Sequence, residues 1–495
     1  MEGSGTTGRS SSRSIQNCWI MVARMIGALK PPCDEGIVRS TMAALPRAEA
    51  RSKRMALTAT ILGSSMAFID GSVVNLALPT MQHQLAATAA EIQWVVNAYM
   101  LLLGAFVLIG GSAGDRYGRR RVFLIGIVVF AGGSLACAAS PNIRTLIASR
   151  AIQGLGAALL VPTSLAILGS LFGDDERGRA IGIWAGAGAV MSAVGPLVGG
   201  WLVDSVSWRA IFLINFPIAI VTIWLTLRSV PESSAPGVTA LDWKGAMLAA
   251  AGLGSLTWGL TAAGDLGFSD HFVGAALGCG LALLAGFIAS QAHGPAPMMP
   301  LKLYRSRGFS GANLLTLLLY FGFSGGLFFL PFELIRAYGY SATQAGAALL
   351  PVPLVMGTLS VAAGHAADRY GARVLLVLGP IVTGVGFALL ALARLDASYW
   401  DGLLPAILVM ALGMTISVAP LTSIVMGSVA ASHAGVASGI NNAVARVAGL
   451  LAVAVLGLIY FGLPGTGYRL VMAIAACCAL LAGLVGGMMI SSKTH

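Results

Sequence analysis

Charge is what this chain has least of: Asp, Glu, Lys and Arg make up 10% of its 495 residues, against 57% hydrophobic residues and a mean hydropathy of +0.84. A water-soluble fold of that length could not clothe its surface with so few polar groups. Cysteine and histidine are also sparse, at six each. Cys18, Cys33, Cys137, Cys279, Cys477 and Cys478 show no metal-ligand spacing, and four of them fall inside apolar runs, which marks them as packing residues. His83, His271, His293, His365, His433 and His495 form neither an HExxH nor a paired motif. No metal centre and no cofactor is expected. A membrane-embedded enzyme would need clustered polar residues at one face or a soluble catalytic loop, and internal loops stay under about 20 residues.

What the chain has is long apolar runs, each of about 18 residues or more and so able to cross a hydrocarbon layer roughly 30 Å thick. Fourteen of them are expected, near 56–78, 92–111, 122–139, 146–171, 180–203, 210–227, 245–263, 272–292, 309–329, 346–366, 374–392, 403–425, 435–458 and 470–490. The 64 glycines fit such a protein, because small residues let membrane helices approach closely. The implied class is an all-α polytopic membrane protein. Its expected parts are a disordered basic tail (1–54), a six-helix bundle (55–228), a linker with two additional helices (229–307) and a second six-helix bundle (308–495).

Basic residues give the orientation. With the N-terminus in the cytosol, 23 of the 30 Lys and Arg residues fall on the cytosolic side, which places both termini there. The net charge of +11 is then a topology signal, and no nucleic-acid partner is expected. The apolar patch from Cys18 to Leu29 is too short to span a bilayer and contains Arg24. No cleavable signal pattern is visible there, and Met42 stands as an alternative start, so residues 1–41 are expected to be dispensable.

The two halves echo each other. Gly111-Ser-Ala-Gly-Asp115-Arg116-Tyr117-Gly118-Arg119 follows the second span, and Gly364-His-Ala-Ala-Asp368-Arg369-Tyr370-Gly371-Ala-Arg373 follows the span near 346–366. Repeated loops of this kind imply a duplicated transporter architecture with a site between the halves. The first loop resembles the signature between helices two and three of the major facilitator superfamily, although Ala113 stands where that family often has Leu. Gly186-Ala-Gly188, continuing to Gly195-Pro196-Leu-Val-Gly199-Gly200, resembles the superfamily's antiporter motif. Phe68-Ile-Asp70-Gly-Ser-Val-Val-Asn75-Leu-Ala-Leu-Pro79 looks like the first-helix motif of its fourteen-span drug:proton antiporters. Arg150-Ala-Ile-Gln153-Gly154 is similar to its basic helix-four motif, and Trp208 to Pro217 and Gly339-Tyr-Ser341 add support.

The resemblance covers about residues 56–490. It implies the major facilitator fold and a proton-driven antiporter exporting hydrophobic or amphiphilic compounds through the inner membrane, with the proton gradient in place of a cofactor. A metabolite facilitator or symporter on the same fold is the alternative. A monomer in the lipid bilayer is expected, with a periplasmic adaptor left open.

Several residues invite roles. Asp70 and Arg150, ionisable and within spans, form either a static helix-to-helix ion pair or a titrating one that carries the coupling proton, with Gln153 orienting them. Asp70 is expected about 12 Å and Arg150 about 6 Å from the outer face, at 1.5 Å per residue. Gly111, Asp115, Arg116, Gly118, Arg119, Asp368, Arg369 and Gly371 are read as a conformational latch, against the simpler reading of a topogenic basic loop. Gly186, Gly195, Pro196, Gly199 and Gly200 are read as a bent, closely packed antiporter helix. Asn75, Asn441, Asn442 and Arg446 are candidate cavity residues. Glu333 is expected to pair with Arg336 at the surface. A cavity with few carboxylates suggests neutral or monocationic lipophiles as substrates.

Overall fold

The computed structural model describes residues 35–235, 241–393, 398–430 and 433–490, and no strand occurs among them. The chain divides into Met1–Ser52 and Lys53–His495; the second unit holds all that follows. Among the described residues fourteen helices are long and apolar enough to cross a membrane, one for each expected span. In chain order they are α1 (Glu35–Gln84, membrane-length from Arg51), α2 (Ala89–Tyr117), α3 (Arg119–Ala138), α4 (Ile143–Leu171), α5 (Asp174–Ser205), α6 (Ala210–Ser229), α7 (Trp243–Leu266) and α8 (His271–His293). The second half supplies α9 (Arg307–Arg336), α10 (Ala342–Tyr370), α11 (Ala372–Leu392), α12 (Tyr399–Gly427), α13 (Ala434–Gly462) and α14 (Gly467–Met489). Helices α6, α10 and α12 are each made of two consecutive helical pieces. Among the described residues helix is present from Glu35, inside the stretch expected as tail, and residues 1–34 of that expected tail lie outside the described residues.

Apolar side chains permit these helices in lipid, where the backbone must satisfy its own hydrogen bonds. Polar caps set where they begin. Thr88 and Glu91 form a reciprocal capping box at α2, Ser341 and Gln344 do so at α10, and Asn142, Asp242, Asp270 and Ser306 cap α4, α7, α8 and α9. At the repeated loops Gly118 (φ 105°) and Gly371 (φ 85°) turn the chain directly from one helix into the next, in a backbone region that side chains disfavour.

Within the first half α4 packs along α2 and α3; within the second, α11 packs along α12 and α14. The halves meet along two seams, α2 with α13 and α5 with α10. The additional helices are central in the sequence and peripheral in the fold: α7 covers the α2 and α13 seam, and α8 leans on α7 with most of its surface exposed.

The apolar core is asymmetric. Its largest cluster unites both halves, including Leu76, Met81, Phe329, Ala345 and Leu456, at the ends remote from the repeated loops. Toward those loops the core splits, one cluster belonging to the first half and another to the second with only Leu108 joining it from α2. Along the other seam α5 and α10 touch as far as Ala189 and Gly357, beyond which both helices are largely exposed. The molecule is thus closed at one face and parted at the face bearing Gly118 and Gly371.

Candidate functional site

Asp70 and Arg150 form the most deeply buried ion pair among the described residues. Arg150 Nη1 lies 2.6 Å from Asp70 Oδ2, and each side chain is only 1% exposed. Helix α1 runs on to Gln84 and α4 starts at Ile143, so both residues sit deeper than the sequence suggested: roughly 21 Å and 10 Å from their helix ends. Lone charges at that depth would be expensive, and the surrounding groups answer them. Arg150 Nε donates to the Val95 carbonyl (3.0 Å), and Nη1 also donates to Gln153 Oε1. Gln153 Nε2 donates to Asp70 Oδ1 (2.8 Å) and to Ser134 Oγ (2.7 Å), which also accepts from Asn215 Nδ2 (3.2 Å). The guanidinium stacks over Tyr99 at 4.3 Å and faces Phe212 at 5.8 Å.

Five helices therefore converge, α1, α2, α3, α4 and α6. Glycines permit it. A Cβ at Gly133 would lie 2.8 Å from the Gln153 backbone nitrogen, so α3 reaches α4 only because residue 133 has no side chain. The sequence reading named Asp70, Arg150 and Gln153; it missed the roles of Ser134, Tyr99 and Phe212 and cited Asn215 only within a motif.

A cavity of about 440 Å³ opens between α2, α9, α12 and α13, with Tyr320, Ser324, Ser438, Asn441, Asn442 and Arg446 on its wall. Asn441 is committed to α9, donating to Thr316 Oγ1 (2.6 Å) and Asn313 Oδ1 (3.3 Å). Asn75 does not line this cavity.

The repeated loops differ. In the first, Asp115 pairs with Arg119 one turn on (2.7 Å). Glu232, from the segment after α6, accepts from the backbone N–H groups of Arg120 (3.0 Å) and Arg121 (3.2 Å), capping α3. A Cβ at Gly118 would press on the Glu232 carboxylate at 2.6 Å and push that flexible side chain off its cap, while the φ of 105° is what calls for glycine. Arg116 stacks on Tyr117, and a Cβ added at Gly111 would make only ordinary contact with Pro162. In the second loop the position equivalent to Arg119 is Ala372, and Asp368 is exposed with no ion pair among the described residues. Arg369 stacks on Tyr370, while Arg373 donates to the Gly487 carbonyl (2.6 Å).

The glycines of α5 make the closed face. Gly195 and Gly199 admit Ser72 and Val73 of α1, and Gly200 meets the backbone of Ala342 and Thr343. Gly346 in turn admits the Pro196 carbonyl, whereas Gly186 has open space where a side chain would go. Asp204, absent from the sequence reading, clasps the start of α10 by accepting from the backbone nitrogens of Ala342 (3.1 Å) and Thr343 (2.8 Å) and from Thr343 Oγ1 (2.6 Å). Glu333 does not pair with Arg336 as expected. It accepts from Tyr460 (3.3 Å), while Arg336 stacks over Phe332 and Phe461 and reaches across to Gln82 of the first half. Among the described residues no group of three or more His, Cys, Asp or Glu could hold a metal ion.

A family model described as the Major Facilitator Superfamily matches residues 60–452, with a second match at 312–494. A cephamycin export protein of Amycolatopsis lactamdurans is 35% identical over 409 residues, covering 81% of this chain and 84% of its own. The tetracenomycin C resistance and export protein of Streptomyces glaucescens is 32% identical, covering 81% and 75%, and a puromycin resistance protein of Streptomyces alboniger is 31% identical, covering 89% and 92%. Among solved structures, a bacterial homologue of the human lysosomal transporter Spinster superposes with a TM-score of 0.66 at 14% identity, over 88% of this chain and 97% of that one. A D-xylose-proton symporter does so at 0.65 and 16%, over 88% and 98%.

Proposed function

The chain belongs to the major facilitator superfamily, and we propose that it is a proton-coupled antiporter that exports small hydrophobic or amphiphilic molecules across the inner membrane, with both termini in the cytosol. The carrying observation is the buried Asp70–Arg150 pair held by Gln153. An exchanger needs a group whose proton affinity changes as access alternates. A carboxylate stripped of its guanidinium in a dry surrounding favours the neutral form, and one in contact with it favours the charged form. Rearrangement of α1 against α4 would therefore load or release a proton. The parted face bears Gly118 and its basic neighbours, so on the basic-side rule the state seen is open to the cytosol. The names of the resistance and export relatives favour outward transport, while the fold shared with a proton symporter keeps a metabolite facilitator or symporter as the second reading.

Asp70→Asn tests this. It keeps hydrogen bonding to Gln153 and Arg150 but mimics the protonated state. We expect the purified variant to remain folded and pH-gradient-driven efflux of a lipophilic dye to fall more than tenfold. Wild-type dye-induced proton movement in vesicles carrying Asp70→Asn would overturn the assignment and turn attention to Glu333.

A further inference from the structure

We infer that the cavity beside α13 is an anion site, and that the exported compound is an amphiphile carrying a single acidic group, a carboxylate, sulfonate or phenolate, on an apolar skeleton. This rests on the export reading and narrows it. Arg446 is about 12 residues from the start of α13 and 16 from its end, roughly 18 Å and 24 Å along the helix, so it stands near mid-membrane. A cation at that depth needs a counter-charge or water. Arg150 has Asp70; Arg446 makes no hydrogen bond or ion pair with any described residue. It is only partly buried, and it lines the cavity.

The rest of the wall carries no charge. No carboxylate lines the cavity; its polar groups are hydroxyls and amides, among them Ser324, Ser438 and Asn442, able to donate to an anion. Asn442 lies one helical turn before Arg446, so the two donors stack along one stripe of α13. Met100 and Phe323 supply the apolar part of the wall. A volume of about 440 Å³ suits a drug-sized molecule. The sequence suggested neutral or cationic lipophiles because carboxylates were few. The structure reverses that inference by putting an unpaired guanidinium where the ligand would lie.

Anilinonaphthalene sulfonate and N-phenylnaphthylamine, which differ by the sulfonate, separate the possibilities, with ethidium as the cationic probe. Binding to purified protein and pH-driven efflux from proteoliposomes are measured for the wild type, Arg446→Gln and Arg446→Lys. We expect Arg446→Gln to weaken sulfonate binding roughly ten- to hundredfold, the usual cost of losing a charged hydrogen-bond partner, with Arg446→Lys recovering much of it. Binding of the neutral amine should stay within about twofold, since it makes no charged hydrogen bond. If Arg446→Gln does not fold, Asn442→Asp, which sets a carboxylate one turn from the guanidinium, should lower sulfonate binding in the same way. Sulfonate binding indifferent to these changes, with the amine or ethidium still pumped, overturns the anion site and leaves export standing. Arg446-dependent sulfonate binding without pH-driven efflux of any probe does the reverse.

Discussion

At the scale of single residues, the guanidinium of Arg150 does four things from one position: it pairs with Asp70, binds the Val95 carbonyl, orients Gln153 and stacks on Tyr99. A lysine could supply the charge but not the planar fork or the stacking face. Arg150→Lys should therefore cost at least tenfold in coupled efflux at normal expression, measured with the same vesicles as Asp70→Asn. Efflux within twofold of wild type would show that charge alone suffices. Asp70 and Arg150 were legible in the sequence because ionisable groups inside apolar runs stand out, and Gln153 because it lies one helical turn from Arg150. Ser134, Tyr99 and Phe212 were not, since a serine or an aromatic in a membrane helix looks like ordinary packing until a neighbour gives it a partner. Glu333 was misassigned for a related reason: helical spacing offered Arg336, but the aromatic faces of Phe332 and Phe461 and the distant Gln82 claim that guanidinium.

At the scale of elements, all fourteen spans could be read from apolar length, and the repeated loops marked the duplication. What links elements far apart in sequence could not be read. Glu232 caps α3 from 112 residues away and Asp204 caps α10 from 138 residues away, and nothing in the sequence pairs either carboxylate with so distant a helix start. Gly118 has a structural part in the first loop. Its φ of 105° disfavours a side chain, and a Cβ there would displace the Glu232 carboxylate that caps α3. Gly118→Ala should destabilise the protein by about 1–2 kcal/mol from backbone strain alone, and Glu232→Ala by about 1 kcal/mol from the lost cap. Thermal unfolding in detergent reads both. In this state Asp115 is held within its own half by Arg119. Asp115→Asn keeps the loop's basic residues, and we expect it to slow efflux without lowering surface expression. Unchanged transport would reduce the loop to a topological role.

At the scale of the molecule, alternating access requires the closed face to open as the parted face closes, so the contacts of the closed face must be strong enough to form and weak enough to break. Asp204 on the start of α10, Arg336 reaching Gln82, and the interlocked backbones at Gly200 and Gly346 are those contacts. The first two are solvated and should exchange readily with water. The glycine contacts are steric and admit no compromise, since the Gly200 position lies against the backbone of Ala342 and Thr343. Gly200→Leu should therefore bar the state seen here and bias the protein toward the opposite one. In a cysteine-free background, Gly182→Cys on α5 and Ser360→Cys on α10 report the parted face, because both positions are exposed beyond the point where the helices touch. With Gly200→Leu added, labelling of both by a membrane-impermeant maleimide from the basic side should fall several-fold, while a cysteine at Gln82 should become more reactive from the other side. Labelling that does not change, in a variant that reaches the membrane, would mean that Gly200 only packs and that the closed face is held by the polar clasps instead.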